Sequence, residues 1–355
     1  MALNGSLSAP PVFSGRRGYF PLDEGRLAAY DLSDGKPLWV AMARIALQPA
    51  AGDGLVFIAD AETLIAVREV DGSVAWRMPF SGPLAAPLAW DNGWLIAAAA
   101  SRTILAFRAS DGELIWRRDV NSPVNARPAL SADRIYLPAS DRIIALQVET
   151  GVPLWERKLR GVPSDVLALD DRLYVGSDDN FLYCLKTRDG LVDWRWRTGA
   201  DVVGRPASDE HRVYFVSLDN VLRGLDLKTG NQRWKADLPL RPNAGPIKAG
   251  ETLIVSGVAP MLRAYLSKDG TQAGEVATDG ELASPPYFAA GPGDPTVVVV
   301  TRNMAKGAML SGIIRETAPA PAAPGSAPPA PAAPPGSAPP APAAPPASVP
   351  PAPPR

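Results

Sequence analysis

A tryptophan recurs along this chain at Trp39, Trp76, Trp116, Trp155, Trp194 and Trp234, with spacings of 37, 40, 39, 39 and 40 residues. Four residues before each stands a glycine: Gly35, Gly72, Gly112, Gly151, Gly190 and Gly230. Gly270 continues the series, with Gly274 where a seventh tryptophan would fall. A fixed period of about 40 residues is the signature of a repeat architecture and constrains the fold more than any local propensity.

Inside each unit the apolar pattern has period two. Arg142 to Gln147 alternates into a turn at Gly151, and an extended run resumes through Trp155. That is a hairpin with glycine at the position needing positive φ. Upstream lies another strand, Arg134 to Ala139, matched by Arg172 to Ser177 and Arg212 to Ser217, and before it a short proline-marked segment such as Ala126 to Leu130. Four short strands per unit fit a propeller blade, whose sheet buries both faces against its neighbours. Helical repeats of this length need apolar faces of period 3.6 over ten or more residues, which glycines and turns interrupt here. Seven complete units and an eighth beginning at Ala283 are expected, giving an all-β, eight-bladed β-propeller of four-stranded antiparallel blades. The last blade is incomplete: no turn glycine and no tryptophan strand follow Ile314, so its closing strand must come from elsewhere.

Composition narrows the chemistry. Cys184 is the single cysteine and His211 the single histidine, which excludes an intramolecular disulfide framework and the multi-ligand Cys/His zinc sites. Formal charge is −1, which gives no global reason to expect nucleic acid as a partner. No apolar run approaches the roughly 20 residues of a membrane helix. The first residues lack the basic and apolar regions of a secretory signal. Residues 317–355 hold 17 prolines in 39 residues, so the expectation is a propeller over residues 1–316 and a disordered Pro/Ala-rich spacer after it.

Ala29, Asp31, Gly35 and Trp39 sit in an eleven-residue stretch that resembles the Ala-x-Asp-x-x-Thr-Gly-x-x-x-Trp signature of the PQQ-type (quinoprotein-like) repeat. Ala145 to Trp155 and Gly224 to Trp234 keep its Thr-Gly form, whereas Arg68 and Arg108 replace its aspartate. That resemblance covers roughly residues 5 to 315 and raises the quinone-dependent dehydrogenases, which share the repeat. Those enzymes are much longer, and the resemblance implies acidic and amide ligands around a quinone and calcium. The most conspicuous acidic pair here, Asp178 and Asp179, falls in a turn matching Ser140 and Asp141 in another blade, and reads as a solvated turn. Cys184 occupies the alanine position of its blade and reads as a buried thiol, and His211 as an exposed turn residue. No catalytic, cofactor-binding or metal-ligating residue is assigned. The tryptophans read as blade-docking residues, with Trp116 and Trp155 expected to be buried between blades.

Among PQQ-repeat proteins of this length the chain is similar to the outer-membrane protein assembly factor family, the BamB proteins. The resemblance implies a periplasmic, lipid-anchored, non-catalytic scaffold acting through protein partners. The alternative is a dehydrogenase-like enzyme or a small-molecule sensor using the central channel. The family's lipid-bearing cysteine is not in this sequence, so a cytoplasmic location is the second expectation. Gly5 to Pro10 matches Gly82 to Pro87 at an offset of 77, which puts the counterpart of Trp76 just before Met1. Met1 to Asn4 therefore read as the end of the closing strand, with the remainder and any signal or anchor expected upstream.

Overall fold

Eight antiparallel four-stranded sheets follow one another in the computed structural model, the first seven hydrogen-bonded in chain order and the eighth with its first two segments both pairing with its third strand. The structure describes residues 1–60, 62–80, 82–289, 296–303 and 307–314. The proline-alanine tail lies outside the described residues.

The fourth blade shows how the sequence builds a sheet. Its strands are Ala129–Ser131, Arg134–Ala139, Arg142–Gln147 and Pro153–Lys158. The middle two are buried along almost their whole length, because a sheet covered on both faces has no solvent side on which polar residues could alternate. The last strand alternates exposed and half-buried residues and forms the rim. The first strands of successive blades contact one another and so surround the axis.

Trp155 pairs across the sheet with Ala145, and the ladder shifts register immediately after that alanine. The same bulge follows Ala29, Ala66, Ala106, Cys184, Gly224 and Ala264. It leads into a hairpin closed at Gly151, whose N–H donates to the Gln147 carbonyl at 2.9 Å. The residue opposite the tryptophan must be small: a Cβ on Gly224 would stand 2.6 Å from Cε2 of Trp234.

Between every two neighbouring blades lies one apolar cluster. Phe57 and Trp76 pack with Leu95 and Phe107 between the second and third, and Tyr214 and Trp234 with Leu253 and Tyr265 between the sixth and seventh. The ring closes where Phe20 and Tyr30 of the first blade pack with Val298, Val300 and Leu310 of the eighth, and Phe13 stacks on Tyr287 at 4.4 Å. Among the described residues, no helix is long and apolar enough to cross a membrane.

The eighth blade consists of Glu281–Leu282, Tyr287–Ala289, Thr296–Asn303 and Gly307–Ile314, and the chain's own N-terminus adds to its outer edge. Ala2 pairs antiparallel with Met309, the Leu3 N–H donates to the Ala308 carbonyl at 2.8 Å, and the Leu310 N–H donates to the Met1 carbonyl at 2.8 Å. Leu3 thus takes the place that Phe80 has in the second blade, whose N–H donates to the Glu62 carbonyl at 2.7 Å. The N-terminal pairing reaches Leu310. Among the described residues, no strand pairs with the outer edge of Ser311 to Ile313.

Candidate functional site

Every one of the six repeated tryptophans reaches out of its own blade. The indole Nε1 of Trp39 donates to the Glu69 carbonyl at 3.0 Å, and that of Trp76 to Ala109 at 3.0 Å. Trp116 donates to Val148 at 2.6 Å and Trp155 to Thr187 at 2.8 Å. Trp194 donates to Leu227 at 3.2 Å and Trp234 to Ser267 at 3.0 Å. Each acceptor lies three residues before the turn glycine of the next blade. Each indole face then covers that glycine: a Cβ on Gly72, Gly112, Gly151, Gly190, Gly230 or Gly270 would come within 2.4–2.7 Å of the ring. A side chain there would collide with the indole, and the positive φ of all six disfavours one as well.

Trp76 and Trp234 are buried, whereas Trp39, Trp116, Trp155 and Trp194 are half-buried. Trp116 and Trp155, expected to be buried between blades, do pack against the clusters between blades but are half-buried there, which corrects the degree of burial. All six indoles stand on the outermost strand of their blade and pack on the neighbouring turn, and at Trp116 and Trp155 part of the ring remains at the surface. A further contact escaped the sequence reading. Tyr174 and Tyr214 on the second strands send their hydroxyls to Leu227 and Ser267, the same carbonyls that Trp194 and Trp234 use, at 3.0 and 3.1 Å. The recurring Arg-x-Tyr of the second strand carried that signal.

The series breaks on both sides of the eighth blade. Gly274 offers no indole, and a Cβ there would meet only the Ala264 Cβ at 4.0 Å. At the other junction the Gly35 turn of the first blade is covered by Met1, whose Sδ would be 2.6 Å from a Cβ on Gly35.

The residues that could carry chemistry are mostly committed elsewhere. Cys184 is fully buried, and that burial pushes its thiol up to about 12. His211 is exposed in its turn, its backbone N–H held by Asp209 Oδ1 at 2.8 Å. Asp178 accepts from the Val162 N–H at 2.6 Å, and Asp179 from the Tyr183 hydroxyl at 2.5 Å. Asp219 accepts from Arg223 at 2.6 and 3.1 Å, from Ser217 at 2.5 Å and from the Gly199 N–H at 2.9 Å. Burial alone would raise its pKa, but these donors outweigh that and hold its carboxyl at about 2. No cluster of three or more His, Cys, Asp or Glu among the described residues is placed to hold a metal ion.

Two further places are open to ligands or partners. A cavity of about 340 Å³ lies at one end of the ring between the first two blades, where Asp23, Glu24 and Asp60 meet Arg44 and Ile45. The other place is the axis. Strand registers make Gln48, Arg127, Asp165 and Arg205 equivalent positions in the second, fourth, fifth and sixth blades, two residues before the partner of Phe57, Tyr136, Tyr174 or Tyr214. Pro10, Pro87, Gly245 and Pro285 hold the same position in the other four. Arg127 Nη2 donates to Gln48 Oε1 at 2.7 Å, spanning the third blade between them. Arg127 lies in the proline-marked segment visible in the sequence and Arg205 repeats its Arg-Pro, but the pattern alone does not show that these two, Gln48 and Asp165 converge on one axis.

The protein-family model for outer membrane protein assembly factor BamB matches residues 1–79, 60–169 and 164–303. The outer membrane protein assembly factor BamB of Yersinia pestis is 24% identical over 164 residues, 41% of this chain and 41% of that protein. The quinohemoprotein alcohol dehydrogenase ADH-IIG of Pseudomonas putida is 31% identical over 97 residues, 23% of this chain and 14% of that enzyme. The chain thus spans less than half the length of the curated relatives it matches. The crystal structure of BamB from Moraxella catarrhalis superposes with a TM-score of 0.68 at 19% identity, covering 87% of this chain and 97% of that one, which shows a common fold. With the match running through the blades from residue 1 to residue 303, the chain belongs to the outer membrane protein assembly factor BamB family.

Proposed function

We propose that this protein is a non-catalytic scaffold of the cell envelope that takes part in outer-membrane protein assembly by binding protein partners. The family match along the blades carries the reading. The placement of the reactive groups supports it: the single thiol is inaccessible, Asp178 accepts from a backbone N–H, and Asp219 from Arg223 and a backbone N–H. The tryptophans serve the ring rather than a ligand in this reading, since each indole already covers a turn glycine. Partners meet the loops at one end of the ring, where the cavity rimmed by Asp23, Glu24, Arg44 and Asp60 offers charge and apolar surface together.

The test is affinity capture from a detergent-solubilised envelope fraction after cross-linking, run beside a dye-linked alcohol oxidation assay with added quinone and calcium. Enrichment of outer-membrane assembly components with no oxidation supports the scaffold. Turnover dependent on quinone and calcium contradicts it.

A further inference from the structure

The axis of the ring carries an unbalanced charge. Arg205 and Asp165 stand on the first strands of the sixth and fifth blades, and Arg127 two residues before that of the fourth, so that Asp165 falls between the two arginines in blade order. All three lie within electrostatic reach of one another, and the carboxylate favours the charged form of both guanidiniums while Arg205 opposes that of Arg127. Two cations face one anion. Gln48 is neutral, and its Nε2 is already donated to the Pro11 carbonyl at 2.6 Å.

Surroundings make this imbalance costly. Desolvation is the largest influence on both guanidiniums and pushes both pKa values down, although Arg205 keeps much of its surface open to solvent. Arg205 is thus surrounded by protein atoms yet reached by solvent. Arg127 spends Nη2 on Gln48, but its Nε is buried without a hydrogen-bond partner. A buried guanidinium donor left unpaired costs free energy.

Chain geometry holds Arg205 in place. The first strands of the sixth and seventh blades touch backbone to backbone there: a Cβ on Gly204 would lie 2.0 Å from the Gly245 nitrogen, and one on Gly245 1.9 Å from the Arg205 carbonyl oxygen. Gly204 has φ +67°, so glycine suits both the contact and the conformation. The bulge between Val203 and Ala207 sets this strand apart from the short first strand of the fourth blade.

We propose that Arg127 and Arg205 form a binding site in the central channel for a small carboxylate- or phosphate-bearing oxyanion. Guanidinium groups present paired N–H donors that match the two oxygens of a carboxylate or phosphate. The unpaired Nε of Arg127 supplies a donor, and the excess positive charge supplies the attraction. Asp165 limits the site to a net charge of +1 and acts as the internal competitor of the incoming anion. The site stands whether or not the chain acts as an assembly scaffold.

Thermal unfolding and titration calorimetry of the full chain, with inorganic phosphate and with succinate at ionic strength matched by sodium chloride, test it. One or both should raise the melting temperature by several degrees at 10 mM relative to chloride alone, since binding to the folded state stabilises by mass action. Arg205→Gln should abolish that rise while leaving the melting temperature in chloride unchanged or higher, because a repulsion is removed. Asp165→Asn should tighten binding by about tenfold, a change that one lost carboxylate near a bound anion supports. A rise of equal size in wild type and Arg205→Gln, no rise with either anion in wild type, or weaker binding by Asp165→Asn would each overturn the site.

Discussion

Trp234 donates its indole N–H to the Ser267 carbonyl at 3.0 Å and lays its ring over Gly270, where a Cβ would stand 2.5 Å from Cε3. One residue on the rim of the sixth blade therefore fixes the hairpin of the seventh. The same relation recurs at six of the eight junctions, and it makes blade docking separable from backbone strain.

Gly270 and Gly54 share a φ of +74°, but nothing lies within 4 Å of a Cβ on Gly54. Both alanine substitutions carry the left-handed backbone cost of about 1 kcal/mol. Gly270→Ala in addition displaces the indole, and its total cost is expected to reach about 3 kcal/mol. Urea denaturation of the two variants measures the difference. Equal losses would mean that the indole yields freely.

Burial ranks the tryptophans. Trp76 and Trp234 are buried, and replacing either by alanine is expected to cost about 3–5 kcal/mol. Trp116 and Trp155 keep one edge at the surface, so their alanine variants should lose about 2–3 kcal/mol from smaller buried area and one hydrogen bond. Chemical denaturation of the four variants gives the order, and neutral values at Trp76 would remove the docking role.

Acid should weaken the fifth-to-sixth junction through Asp219. Its carboxyl is held at about 2, below the usual value of 3.8, so it stabilises the fold above roughly pH 4 and loses that contribution as pH falls toward 2. Asp219→Asn leaves Arg223 without its charged partner and is expected to cost about 1–3 kcal/mol at pH 7. Near pH 2 the variant and the wild type should converge. Denaturation midpoints across that range check the sign: a penalty that grows on acidification would contradict it.

Cys184 offers a direct probe of opening between the fifth and sixth blades. Fully buried, with its thiol pushed up to about 12, it should resist a disulfide reagent at pH 8 in the native state and react at once in denaturant. Native labelling within minutes would show that the junction opens easily.

The ring was legible in the sequence because its cause is periodic. Gly151 and Trp155 must stand four apart for the hairpin to seat its outer strand, and that requirement repeats in every blade. Half-burial of Trp116 was not legible, since Trp76 on the equivalent strand is buried and the repeat pattern reports identity rather than depth. The pairing of Met1, Ala2 and Leu3 with the Gly307–Ile314 strand followed from an internal offset of 77 residues, but the methionine over the Gly35 turn did not. Least legible were Gln48, Arg127, Asp165 and Arg205. They share a register, but apart from the recurring Arg-Pro of Arg127 and Arg205 their side chains differ, and only the closed ring brings four separate repeats to one axis.

The scaffold reading is tested most directly by deleting the gene in the native organism and quantifying folded β-barrel proteins in the outer membrane. The account predicts a reduced amount that is restored by the full chain and by a chain carrying Cys184→Ser, which leaves no thiol for chemistry. Unchanged barrel levels, together with loss of growth on an alcohol as the sole carbon source, would contradict it.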